Sequence, residues 1–180
     1  GRLPVGDQSP LHYRDGKPLL SWRVHLLPFL REQKLYQQFH LDERWDREHN
    51  RKLVDQIPHV YTSPRYGKLK GQTSYLAPSG AGTVFGEQEA IGFDDISDGL
   101  RQTALVVQVG PDQSVPWTRP ADLTSLQGNP SEFLGEVGKR LSVLFSDGRV
   151  FHLNPKIDRQ TLQFLFHYQD GQRLDRRQLR

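Results

Sequence analysis

Asp94, Asp95 and Asp98 cluster just before Gly99. Oxygen ligands at this density suit a hard cation, so the turn is the candidate metal site and calcium the candidate cofactor. The spacing is not that of an EF-hand loop, and an acidic turn closed by Asp98-Gly99 accounts for the same residues. Paired carboxylates are also the pattern of glycoside hydrolysis, one acid and one nucleophile or base. Asp94 and Asp95, however, are sequence neighbours with no aromatic cluster beside them to hold a sugar. His40 and His49 flank Asp42, Glu43, Asp46 and Glu48. That group becomes a metal or acid/base site only if the loop folds back; otherwise it is a charged, solvated connection.

Other chemistry is sparse. There is no HExxH, GxSxG, Walker-type or GxGxxG motif. Ser79-Gly80-Ala81-Gly82 lacks the Gly-Lys-Ser/Thr of a P-loop and no helical pattern follows it, so it reads as a tight turn. Trp117 stands between Pro116 and Pro120, which hold the chain extended and remove ladder donors. Its indole either plugs the core or, with Trp45, forms a ligand- or partner-facing surface.

The element organising the rest is the stretch 19–50, LLSWRVHLLPFLREQKLYQQFHLDERWDREHN. Trp22, Leu26 and Phe29 recur at helical spacing beside Leu20, Val24 and Leu27, giving a broad apolar face. Pro28 predicts a kink, or one helix ending before it and another starting on it. Phe29, Leu35, Tyr36 and Phe39 then share one side, and 40–50 is an irregular connection pinned by Trp45, leading into a short helix at 50–57 before Pro58. Dense Gly and Pro mark 61–86 as loop, with 73–77 and 83–85 as its only plausible strands. Residues 103–109 form a nearly continuous apolar strand, which predicts burial on both faces.

Residues 141–153 predict a hairpin. Asp147-Gly148 suits a two-residue type I′ turn, pairing Phe145 with Val150 and Val143 with His152, with Leu144 and Phe151 on the other face and both faces covered. His152 is expected as a packed histidine. The stretch 127–138 is a connecting loop, and a last helix begins at the N-cap Asp158, carries Leu162, Leu165 and Phe166, and ends near Gly171.

With 180 residues, the chain fits one domain with a proper core. Its hydrophobic fraction of 35% and mean hydropathy of -0.68 predict long polar loops around a modest interior. Cysteine is absent, which excludes disulfides and thiolate ligands. A formal charge of +3 is far from the footprint of a nucleic-acid binder. Much of the excess sits in Arg173, Arg176, Arg177 and Arg180, a solvated tail or a contact for an acidic surface. No apolar run is long enough to span a bilayer, and no signal peptide is visible. Methionine is also absent, so the chain is expected to be a processed or excised piece.

The run SWRVHLLPFLREQKLYQQFHLDERWDREHNRKL, 21–53, resembles the opening of the soluble region in the planctomycete "domain of unknown function 1559" family. Those proteins carry a prepilin-like amino-terminal helix and look like general-secretion G-type pseudopilins. FDDISDGLRQTALVVQV (93–109), VPWTRPADL (115–123) and VLFSDGRVFHL (143–153) match in the same order. The family's Asp-Gly-Thr-Ser-Asn-Thr turn and the Glu after the strand are here Asp98-Gly99-Leu100-Arg101-Gln102-Thr103 and Gln108. The resemblance implies an α+β pilin-like head over 19–170, with an N-terminal helical layer on a small antiparallel sheet, preceded by a lead-in over 1–18 and followed by the basic tail 171–180. It implies a non-enzymatic, extracytoplasmic subunit of the cell envelope, anchored by a helix missing from this chain and partnered by other pilin-like or secretion-apparatus subunits, with no nucleic acid. The rival expectations are a cell-surface domain binding a solute or glycan at Trp117 and Trp45, and a metal-dependent hydrolase using Asp94, Asp95 or Asp98.

Overall fold

The computed structural model describes residues 2–4, 13–14, 16–67, 69–124 and 128–172. Most of the lead-in, and Arg173, Arg176, Arg177 and Arg180 of the tail, lie outside the described residues.

A short pairing of β1 (Tyr13–Arg14) with β2 (Lys17–Pro18) leads into the helical layer. Ser21 caps α1 (Trp22–His25), its hydroxyl accepting from the Arg23 amide. Pro28 then tightens the chain into a 3₁₀ turn over Leu27–Leu30, which ends on Arg31 at φ 63° before α2 (Gln33–Tyr36). The expected break at Pro28 is there, but the tighter turn points Phe29 outward at 80% exposure instead of into the packed face. α3 (Glu48–Lys52) starts earlier and is shorter than the expected 50–57 helix. The layer closes on a core of Leu20, Val24, Leu27, Leu35, Phe39, Leu53, Tyr61 and Trp117.

β3 (Gln72–Thr73) pairs antiparallel with β6 (Val115–Pro116), which places Pro116 opposite Gln72 in a two-stranded ribbon. The main sheet is antiparallel, ordered β4-β5-β7-β8, from β4 (Tyr75–Leu76), β5 (Ala104–Gln108), β7 (Leu141–Phe145) and β8 (Val150–Leu153). The fold is therefore α+β. Residues 83–85 are not a strand; Thr83 makes a single bridge to His167. The turn at 79–86 is tight: Thr83 and Gly86 amides bond the Gly80 and Thr83 carbonyls.

One face of the sheet carries Val107, Leu141, Val143, Phe145 and Leu153 against Leu162, Leu165 and Phe166. These last belong to α5 (Arg159–Phe166), N-capped by Asp158 as expected and ending several residues before Gly171. α4 (Pro130–Leu134), in the stretch read as a loop, adds Leu134 to the same core. The cover on this face is thus α5, and on the other side of the sheet Trp22 and Leu26 of the helical layer join Phe85, Leu105 and Val106 in a further core.

The hairpin register differs by one residue from the expected one. Leu144 pairs with Val150, Val143 with Phe151, and Ser142 with His152. Gly148 donates to the Phe145 carbonyl and Phe145 to the Arg149 carbonyl, so the loop is a type I turn followed by Gly148 at φ 80°, a three-residue loop with a bulge. The turn is held from outside, where the Asp147 amide donates to the Leu100 carbonyl beside Gly99.

Candidate functional site

The segment 115–123 and the helical layer are joined by a buried polar clamp. Arg23 and Asp122 have fully buried side chains and meet at 2.5 Å. Arg23 Nη1 also donates to Ser21 Oγ at 2.8 Å, and Nη2 to the Tyr75 carbonyl at 2.8 Å. The carboxylate of Asp122 accepts in addition from Trp22 Nε1 and the Ala77 amide, each at 2.8 Å. Both charges are therefore paired and hydrogen-bonded, the condition under which burying them is tolerable. Tyr61 closes the backbone side, donating to the Arg23 carbonyl at 2.9 Å. Burial pushes the Tyr61 hydroxyl well up, against the opposing Arg23 charge, so it stays a donor.

Beside the clamp, the outer face of the sheet and the helical layer enclose an apolar groove of about 710 Å³. Its walls include Leu26, Leu30 and Val60 from the helical side, and Leu3, Trp22 and Phe85 at one end. Strand register sets its floor. Val106, Leu144 and Val150 lie in one cross-strand row, while Tyr75, Gln108, Ser142 and His152 form the next. The second row is polar and ordered: Gln108 Nε2 donates to Ser63 Oγ at 2.5 Å, and Ser142 Oγ lies 3.1 Å from His152 Nδ1. Arg65 lines the same end, its Nη1 donating to the carbonyls of Val137 and Arg140 at 3.0 and 2.7 Å. Burial raises the Tyr75 hydroxyl, while its bond to Ser63 and the Arg65 charge pull the other way. None of the described residues lining the groove is Asp or Glu.

The strand 104–108 is covered on both faces, as expected: Gln108 in the outer row is buried, and Leu105 and Val106 are half-buried against a core of Trp22, Ala77, Val84, Phe85, Ile96 and Tyr168. The expectation for His152 is corrected. His152 pairs with Ser142 and is exposed, because β8 is the sheet's edge and nothing described covers its outer face.

The aspartates of the acidic turn are engaged separately. Asp98 accepts from the backbone amides of Asp170 and Gly171 at 2.7 and 2.8 Å, and Asp95 from the Gly92 amide at 2.8 Å, while Asp94 is exposed. Asp95 and Asp98 thus direct oxygens at the amides of separate turns. Among the described residues no group of three or more His, Asp or Glu is placed to hold a metal ion.

Trp117 is 0% exposed, which corrects its reading as a ligand-facing surface. Its Nε1 donates to the Val54 carbonyl at 2.9 Å, and its ring packs on Tyr61 and Phe39 with centroids 5.8 Å away in each case. Trp45 is half-buried against the same core, with Arg119 5.7 Å from its ring. The two tryptophans thus share a core, and a glycan surface built on both does not exist.

The loop after α2 does fold back. His40 and His49 stack with centroids 3.6 Å apart and planes 2° from parallel. The buried Asn50 amide ties its base, bonding the His40 amide and the carbonyls of His40, Glu43 and Arg44. Arg23, Tyr61, Arg65, Asn50 and Asp122 are among the residues that sequence reasoning missed. Asn50 lies in a charged stretch and Asp122 in a proline-flanked one, and only their long-range partners set them apart from solvated polar residues.

Residues 1–66 match the family model described as "Protein of unknown function (DUF1559)". The matched stretch holds Ser21, Trp22 and Arg23, one half of the clamp, and the match supports that family over this part of the chain. Comparison with curated proteins and with solved structures found no match.

Proposed function

We propose that the domain is the non-enzymatic, extracytoplasmic head of a pilin-like or secretion-system-like (pseudopilin) protein of the cell envelope. Its membrane-anchoring helix lies outside these 180 residues, and its partners are other pilin-like or secretion-apparatus subunits. The observation that carries this reading is the outer face of the sheet. The domain completes its core with α5 on one face and leaves an aliphatic groove on the other, framed by the helical layer and by Leu3 and Pro4 near the start of the chain. A face of that kind suits a helix. Among the described residues no helix is long and apolar enough to cross a membrane, so an anchor has to come from elsewhere in the polypeptide. The resemblance over 21–53 and the three later stretches supports the same role.

The test is the intact gene. Expressed with a prepilin peptidase, the full protein is expected to lose a short leader, fractionate with membranes and expose this domain to protease added outside the cytoplasm. A product that starts at this domain and stays in the cytosol would sink the proposal.

A further inference from the structure

We infer that β8 is an edge made for a second copy of this chain, and that two copies join β8 to β8, antiparallel about a two-fold axis at Phe151, merging two four-stranded sheets into one. The inference goes beyond the anchored-head reading and does not depend on it, since it concerns these 180 residues alone.

The two margins of the sheet are finished differently. On β4 the residue facing outward is Tyr75, and both of its backbone groups are answered: its amide donates to Thr73 Oγ1 at 3.1 Å, and its carbonyl accepts from Arg23 Nη2 at 2.8 Å. On β8 the turn sets the alternation. Phe145 donates to the Arg149 carbonyl, so Phe151 and Leu153 face β7, while the amides and carbonyls of Val150 and His152 face away from it. Among the described residues no hydrogen bond answers these outward groups. Neither proline nor lysine stands in the four residues of β8, no register shift interrupts them, and Val150 is 59% exposed. The usual guards of a sheet edge are therefore missing.

Self-pairing fits this edge. With the two-fold axis at Phe151, Val150 of each copy lies opposite His152 of the other, and every outward group of both strands finds a partner in that one register. The turn carrying Asp147 and Arg149 then approaches the 154–158 segment of the second copy, which carries Lys156 and Asp158, so both signs of charge meet both signs. A parallel partner would set Arg149 beside Arg149 and Lys156 beside Lys156. The assembly also closes: with β8 used and the β4 margin sealed by side chains, pairing stops at two copies.

The 180-residue chain is sedimented over a dilution series. A monomer–dimer equilibrium with no larger species is expected, its dissociation constant on the order of 0.1 mM for so short an interface, and the Val150 and His152 amides should gain protection from hydrogen exchange as the dimer fills. His152→Pro removes an amide that takes no part in the ladder with β7, so the sheet is kept while pairing weakens at least about tenfold. Val150→Lys guards the edge with a charge at an exposed position and should weaken pairing by as much; it decides the matter alone if the proline variant does not fold. Val60→Lys, exposed on the opposite wall of the groove, should leave the dimer unchanged. A chain that stays monomeric throughout, growth beyond two copies, or a dimer as strong in Val150→Lys as in wild type overturns the inference. So does a dimer lost equally in Val60→Lys, which marks association through the groove. None of these outcomes touches the anchored-head reading, which the intact gene decides.

Discussion

The guanidinium of Arg23 reaches the carboxylate of Asp122 across 99 positions of sequence, and both side chains are fully buried at the contact. The same pair ties the helical layer to the margin of the sheet, since Arg23 also holds the β4 carbonyl of Tyr75 and Asp122 the amide of Ala77. Removing one member of such a pair strands the other in a dry site. Asp122→Ala is therefore expected to lower stability by about 3–5 kcal/mol, read as a fall in the urea midpoint. A loss below about 1 kcal/mol would mean that the clamp is loosely held.

Trp117 joins the core of the helical layer to the segment carrying Asp122. Trp117→Ala should cost about 3–5 kcal/mol for the emptied volume. Trp117→Phe keeps most of the ring but leaves the Val54 carbonyl without its donor, and should cost about 1–3 kcal/mol. A Trp117→Phe variant as stable as wild type in chemical denaturation would contradict the assigned hydrogen bond.

Two glycines separate crowding from backbone strain. A Cβ on Gly86 would lie 1.8 Å from the Gly80 carbonyl oxygen, so Gly86→Ala should cost more than about 4 kcal/mol or prevent folding. Gly148 has φ 80° and open space around it, so Gly148→Ala should cost only about 1–2 kcal/mol. Thermal melts that ranked them the other way would contradict the packing of the 79–86 turn.

Asp158 supplies a pH dependence. The Thr161 hydroxyl, and then its amide, hold the carboxyl below the usual carboxylate range. A carboxyl depressed in the folded state is protonated first in the unfolded chain. Its stabilisation is thus complete above about pH 4 and fades as pH falls through the folded value. Asp158→Ala should cost about 1 kcal/mol at neutral pH, the worth of an N-cap. The gap to wild type in urea melts should narrow below pH 4, and a gap independent of pH would contradict the cap.

What was legible in the sequence was whatever local chemistry decides. Pro28 broke the first helix, Asp158 capped the last, and the strands at 104–108 and 141–153 followed from their apolar runs. The hairpin slipped by one position because Asp147-Gly148 suits two turns, and the bond from Asp147 to Leu100, invisible in the local string, accompanies the longer one. Phe29 turned outward because the geometry at Pro28 is 3₁₀ and not α, which rotates the stripe. The acidic turn was not legible because three aspartates look alike until their amide partners, 72 and 73 positions away in the case of Asp98, are known. The groove was beyond reach for a related reason. Its polar row assembles one residue from each of four strands, and register alone aligns them.

The span between Arg23 and Asp122 also bears on how the chain is made. At a synthesis rate of about 5–20 residues per second, the 99 positions between them take roughly 5–20 s to emerge. Over that interval the helical layer has neither its carboxylate nor Trp117, so its core is unfinished and its guanidinium remains hydrated. The amino-terminal third is committed to its place only when the proline-flanked tryptophan segment arrives. A polypeptide passed through a channel as it is made would thus stay pliable until late in its passage, and then consolidate around one ion pair.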